Sequence, residues 1–211
     1  RVCIVAWNWQ PGTSTPLLLL SNRDEYYARP TTPLHWWDGA GSTANILAGQ
    51  DLQAGGTWLG ITRTGRLAAI TNYRCVEPIL ATSPSRGELV AKFLQDDMDA
   101  ATYLQQLACV AKDYNPFNLL VFDGTQLLGL QSRDGKVVEP CVGIGAVSNA
   151  DFQTPWPMQA SHPTNNFRKR VFPRNLNGRC LPSLSPRQAT EPALAAWCES
   201  VNSTSNLPSK V

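Results

Sequence analysis

Cys3, the Arg23-Asp24-Glu25 triplet, Asn72 and Asn149 are the residues of this 211-residue chain whose types and spacing suit acyl-transfer chemistry. A cysteine exposed at a chain terminus is nucleophile and base in one residue. Its free α-amino group, with a pKa of about 7.7–8.0, accepts a thiol proton near neutral pH. That route needs no histidine, and the chain has two, His35 and His162. Arg1 and Val2 stand in front of Cys3. The expectation is that Val2 is a GTG-encoded initiator with Arg1 upstream of it, so that processing exposes Cys3. The plainer alternative is a small buried strand side chain. Arg23 beside a thiol lowers its pKa, and Asp24 orients the amine or the arginine; the same tetrapeptide also suits an exposed turn closing an edge strand. Asn72 ends RLAAITN and Asn149 ends GIGAVSN. A side-chain amide there is either a turn residue or a donor to an oxyanion, whose removal costs about 3 kcal/mol of barrier.

The elements that must position these groups follow from periodicity. Residues 2–9 and 16–21 read as two strands of a hairpin around Pro11-Gly12. Residues 26–45 read as loop, and 46–48 as a short strand. TWLGIT and RLAAITNY form a second hairpin around Thr64-Gly65. Ser85 reads as a helix N-cap, with Glu88 closing a capping box and Leu89, Val90, Phe93 and Leu94 on one face. A second helix runs from Asp99 to about Ala111, its face carrying Tyr103, Leu104, Leu107 and Ala108. Strands return in FNLLVFD, QLLGLQS, KVVEP and GIGAVSN. Strands grouped and hairpin-linked around two helices predict an α+β fold with largely antiparallel sheets, not a Rossmann alternation.

Composition narrows the function classes. Apolar residues make up 43% and charged residues 16%, as in a soluble globular protein. The apolar run Leu17–Leu20 is far too short to span a bilayer, and no basic stretch followed by a long apolar region marks a leader. Six scattered cysteines without a Cys-x-x-Cys pair predict reduced thiols and a cytoplasmic setting. Two histidines argue against a metal centre and against a Cys-His pair. No phosphate-loop pattern follows Gly55-Gly56, and a net charge of +2 gives no case for nucleic acid. The tryptophans read as packing, with Trp36-Trp37 alternatively lining an apolar ligand site.

Charge is uneven along the chain. Residues 1–157 hold 11 basic and 14 acidic residues, whereas 158–211 hold 7 and 2, with 19 Pro, Ser and Asn among those 54. Two regions are expected: a domain over 1–157 and a divergent basic tail over 158–211, frameshifted or disordered, with one helix near 192–201. Arg168-Lys169-Arg170 reads as a solvated cluster or a contact for an anionic partner. Asn202-Ser203-Thr204 is a glycosylation sequon without secretory context.

LLLLSNRDEYYARP, ILAGQDLQAGGTWLGITRTGRLAAITNYR, SRGELVAKFL, YNPFNLLVFD and VSNADFQTPWP, with Cys3-Ile4-Val5, resemble the NRDE or transport-and-Golgi-organization type 2 family. The resemblance covers about residues 3–157. It implies the N-terminal-nucleophile hydrolase fold, a four-layer α/β/β/α sandwich. Choloylglycine hydrolases and penicillin V acylases are similar more loosely. Their nucleophilic cysteine matches Cys3, their arginine and aspartate match Arg23 and Asp24, and their two asparagines match Asn72 and Asn149. The implied activity is hydrolysis of a small amide or acylated amine, without cofactor or metal. The implied alternative is a non-catalytic carrier concerned with haem or lipid, with haem as its ligand; no Cys-x-x-Cys-His motif accompanies it. NRDE proteins close on a strand like Tyr-Gly-Thr-Arg-Ser-Ser-Thr-Val that carries a late arginine. Nothing similar follows residue 157, so the resemblance implies a fold incomplete at its C-terminus.

Overall fold

A computed structural model describes residues 3–74, 80 and 82–152. The proposed start at Cys3, the tail 158–211, the helix near 192–201, the basic cluster and the sequon therefore involve residues outside the described ones.

Alternation of apolar residues decides which face each strand buries. β1 (Ile4–Trp9) turns Val5, Trp7 and Trp9 inward and is flanked antiparallel by β2 (Leu17–Asn22) and β10 (Gly143–Val147). These form a three-stranded sheet in the order β10-β1-β2. The second sheet has seven antiparallel strands in sequential order: β3 (Thr31–Trp36), β4 (Ile46–Asp51), β5 (Leu59–Thr62), β6 (Leu67–Asn72), β7 (Phe117–Phe122), β8 (Leu127–Gln131) and β9 (Lys136–Val138). Two helices, α1 (Gly87–Gln95) and α2 (Ala100–Val110), join β6 to β7.

Both faces of the seven-stranded sheet are covered. On one, Ala68, Phe117, Leu119, Val121 and Leu130 pack against Leu89, Val90, Phe93 and Leu94 of α1 and Leu104 and Leu107 of α2. On the other, Ala69, Leu120, Phe122 and Leu127 meet Val5, Trp7, Trp9 and Val147. A strand buried on both faces reads as a continuous apolar run, which accounts for FNLLVF in β7. The described residues thus build three layers, helices on sheet on sheet. A second helical layer is not among them.

Two local expectations need correction. β3 lies inside the segment expected to be loop. Pro33 has no N–H to donate and sits on an edge strand, where the pairing shifts register between Thr32 and His35. Trp36 and Trp37 hold the packing role read from the sequence: Trp37 is buried in the helix-side core with its indole N–H on the Ala48 carbonyl, and Trp36 lies beneath the Arg63 guanidinium.

The capping box at Ser85 does not form either. Arg86 is the N-cap and makes no side-chain capping hydrogen bond; its guanidinium donates instead to the Pro116 carbonyl at 3.0 Å. The Glu88 carboxylate instead accepts from Lys92 and from the Tyr114 hydroxyl. Tertiary contact sets this helix start. The backbone at Gly87 lies so close to Gly56 that a Cβ on Gly56 would stand 2.4 Å from the Gly87 carbonyl carbon, and Thr57 N–H donates to the Gly87 carbonyl. The Gly55-Gly56 pair thus serves close approach. α2 starts as expected, with Asp99 as N-cap accepting from Thr102 N–H. Among the described residues no helix is long and apolar enough to cross a membrane.

Candidate active site

Strand ends converge at one end of the sandwich. Cys3 stands immediately before β1, Asn72 closes β6, and Asn149 lies two residues beyond β10. The Cys3 N–H donates to Asn149 Oδ1 at 3.0 Å. The Asn149 side-chain amide donates in turn to the Asn72 carbonyl at 2.7 Å. One residue thereby ties the nitrogen of the thiol residue to the neighbouring sheet. The partly buried Cys3 thiol points at the Asp24 carbonyl, 3.9 Å away, a weak contact. The Cys3 carbonyl accepts from Ser148 Oγ at 2.8 Å.

Segment 148–152 is held at every residue. The Ser148 carbonyl accepts from Thr71 Oγ1 and from Asn118 Nδ2, which also donates to the Ala150 carbonyl. Arg74 N–H donates to the Asn149 carbonyl. Asp151 accepts from the Tyr73 hydroxyl at 2.7 Å, and that hydroxyl accepts from Arg133 at 3.0 Å. Burial, then the Asp151 carboxylate, pushes the Tyr73 hydroxyl above its ordinary pKa, against the opposing pull of Arg133. Phe152 N–H reaches the buried Gln131. This order gives Asn149 a defined orientation through hydrogen bonds within the chain.

Arg23 follows a different course. Its guanidinium lies 4.2 Å from the centre of the Trp58 ring, with Glu25 at 3.5 Å and Asp51 at 4.0 Å. Asp51 is already engaged: one oxygen accepts from Arg29 Nε at 2.6 Å, the other from the N–H groups of Gln53 and Ala54.

Of the five candidates, the geometry brings Cys3, Asn72 and Asn149 into one hydrogen-bonded chain, with the Asp24 backbone against the thiol. The Arg23 side chain extends to Trp58. Asn149 has one amide hydrogen engaged and a second left over; the Asn72 residue is exposed. The arrangement holds a nitrogen, a thiol and the Asn149 side-chain amide in one strand-end cluster, with the Asn72 backbone carbonyl closing it. Among the described residues no group of three or more His, Cys, Asp or Glu is arranged to hold a metal.

Sequence reasoning missed Thr71, Asn118, Ser148, Asp51 and Trp58. Asn118 had a signal: a polar amide inside the apolar run FNLLVF is a buried group that must find partners. Its Nδ2 finds two, while its Oδ1 is buried without one among the described residues.

Comparison with known proteins gives a consistent family. Residues 2–194 match the model of the family described as Transport and Golgi organisation 2. The Transport and Golgi organization protein 2 homolog of Bos taurus is 38% identical over 175 residues, covering 74% of this chain and 59% of the relative. The human homolog is 36% identical with the same coverage. The Drosophila melanogaster Transport and Golgi organization protein 2 is 31% identical over 139 residues, 62% of this chain and 46% of that one. The chain therefore spans about three fifths of the length of its mammalian relatives. A solved structure, Anbu (ancestral beta-subunit) from Yersinia bercovieri, aligns over the full length of both chains at 11% identity and a TM-score of 0.27, too low to carry a fold assignment.

Proposed function

The chain belongs to the transport and Golgi organisation 2 family, and from that premise we propose that it is a cysteine amide hydrolase of the N-terminal-nucleophile type. The observation that carries this reading is the 3.0 Å hydrogen bond from the Cys3 nitrogen to Asn149 Oδ1. A base must be oriented before its pKa matters. When Cys3 carries a free α-amino group, that acceptor fixes one N–H and turns the lone pair toward Sγ. The amine takes the thiol proton, and Sγ attacks the carbonyl carbon of a small amide. The carbonyl electrons move onto oxygen, where the Asn72 amide and the second Asn149 hydrogen stabilise the charge. Collapse breaks the C–N bond, and the leaving amine departs with the proton held by the α-amino group. A thioester remains on Cys3. Water, deprotonated by the same amine, then cleaves it to a carboxylic acid and restores the thiol. Arg23 and Asp24, which follow the strand paired with β1, act as tuning groups, the Asp24 backbone carbonyl lying against the thiol.

The same reading extends to the fold. Ile4, Leu18, Leu20 and Ile144 lie on the face of the three-stranded sheet opposite its core. A fourth, helical layer packs there in a four-layer sandwich.

The test is intact-mass analysis of natively expressed protein before and after a thiol-directed acylating probe. The expected result is active material beginning at Cys3, one acyl group on Cys3, and turnover abolished by Cys3→Ala. Arg1-Val2 retained on active protein, or no labelling of Cys3 at neutral pH, overturns the reading. A Soret shift on haem titration of such unlabelled protein turns it toward the carrier alternative.

A further inference from the structure

We propose that the Arg23 guanidinium, held over the Trp58 ring, is a carboxylate-binding fork beside Cys3, so that the substrate is an amide bearing a carboxylate. This deepens the hydrolase reading and rests on it for the word substrate.

Consider first what Arg23 lacks. A guanidinium carries five N–H donors in one plane. Among the described residues its nearest acceptors, Glu25 at 3.5 Å and Asp51 at 4.0 Å, stand beyond the 2.7–2.9 Å of a charge-assisted hydrogen bond. Asp51 is drawn away by Arg29, and Glu25 accepts from Tyr26 N–H through its other oxygen. Its side chain is nonetheless only 20% exposed. A sheltered, planar fork that is ion-paired at long range, with no short hydrogen bond to its carboxylate neighbours among the described residues, is pre-organised for a planar, bidentate acceptor.

Trp58 supplies the pre-organisation. Its ring is seated over Gly49, where a Cβ would stand 2.8 Å from the ring carbon Cη2. Gly49 thus leaves room for Trp58, and Trp58 fixes the plane of Arg23. Position then supplies the link to the thiol. Ile4 pairs with Asn22, so Cys3 and Arg23 are the residues just beyond the last pair of β1 and β2. The next carbonyl, that of Asp24, faces the thiol. Charge selects the ligand. Arg23 and Arg29 together with Glu25 and Asp51 sum to zero, which suits a monoanion better than a phosphate dianion.

Alkylation of Cys3 in the full chain tests the fork without amide turnover. Iodoacetate carries the carboxylate and iodoacetamide does not. In both reactions Sγ bonds to the probe methylene, iodide leaves, and the thiol proton passes to solvent. The readout is the ratio of the two rates at Cys3, followed by peptide mass. Effects on the thiol itself cancel in that ratio. Arg23→Gln should lower it about tenfold or more, and Gly49→Ala and Trp58→Leu by a smaller factor with the arginine intact. Arg23→Lys, which keeps the charge and loses the fork, should fall between wild type and Gln. A ratio unchanged in Arg23→Gln overturns the proposal, as does full retention in Arg23→Lys. A dependent ratio in a protein that hydrolyses no amide preserves the fork and overturns the hydrolase reading instead.

Discussion

Arg23 and Arg66 make the same contact in two regions of the molecule and put it to opposite ends. Each lays its guanidinium on an aromatic ring, Trp58 at 4.2 Å and Phe93 at 4.1 Å. Arg66 is buried, 7% exposed, and its donors engage the carbonyls of Phe93 and Met98 at and just beyond the end of α1. Those carbonyls have no partner inside the helix, and they sit at the negative end of its dipole. Burial lowers the Arg66 pKa, while Asp123, Asp97, Asp96 and Asp99 oppose that shift at longer range. The Arg66 corner is therefore satisfied from within the chain. The Arg23 corner has the ring, but its carboxylate neighbours Glu25 and Asp51 stand at 3.5 and 4.0 Å, beyond short hydrogen-bond reach. Ring stacking alone fixes a plane; what the donors meet decides whether an arginine closes a helix or waits for a ligand.

Stability measurements can break that distinction. Arg66→Met removes charge-assisted hydrogen bonds worth roughly 1.5–3 kcal/mol each, partly offset by the lost desolvation cost. A net loss of about 2–3 kcal/mol in denaturant unfolding is expected. Arg23→Met should cost below about 1 kcal/mol, the scale of a partly exposed cation–π contact. Equal losses at the two sites would erase the difference between the corners.

A smaller effect sharpens the same contrast through pH. Burial raises the Asp123 pKa, but N–H donors from Ala100, Gln126 and Thr125, with the Thr125 hydroxyl, outweigh it and bring it down to about 2. A folded pKa below the unfolded value of about 3.9 means stability that is fully present above about pH 4. It is lost as pH falls toward 2. Asp123→Asn should flatten that part of the stability–pH curve and cost about 1 kcal/mol at neutral pH, as for a lost helix-capping group. A curve of unchanged slope in the variant would remove Asp123 from the account of the Arg66 corner. The smallest effect belongs to Trp58→Phe, which keeps a ring under Arg23. Its melting temperature should stay within a few degrees of wild type, read by calorimetry, while the iodoacetate preference falls only slightly.

The sequence carried most of the strand order, because inward alternation survives in β1, continuous apolar runs mark β6 and β7, and near-four-residue spacing survives in α1 and α2. It carried less where tertiary contact overrode local preference. Thr31 to Trp36 has β-branched and aromatic residues, yet Pro33 obscured a strand that edge position makes possible. Ser85 and Glu88 have the spacing of a capping box, yet the close approach of Gly87 to Gly56 set the helix start elsewhere. At the site, Cys3, Asn72 and Asn149 were legible as chemistry-bearing residues at strand ends. Their order was not: nothing in the spacing says that Asn149 lies between Cys3 and Asn72. Trp58 was equally hidden, since its role depends on Gly49, nine residues earlier on the neighbouring strand β4.

The hydrogen bonds from Thr71, Asn118, Asn149, Arg74 and Tyr73 to segment 148–152 and to Asn72 all lie at one end of the sandwich. The opposite end holds the turn after Trp9 and the entry into Gly143. The two sheets therefore resemble the covers of a book bound along the edge that holds Cys3. The far edge is joined by apolar contacts such as Trp9 on Phe122 and lacks such hydrogen-bonded ties among the described residues, so amide exchange should quicken from Val5 toward Trp9 along a single strand. A molecule bound in this way can loosen its far margin without disturbing the thiol.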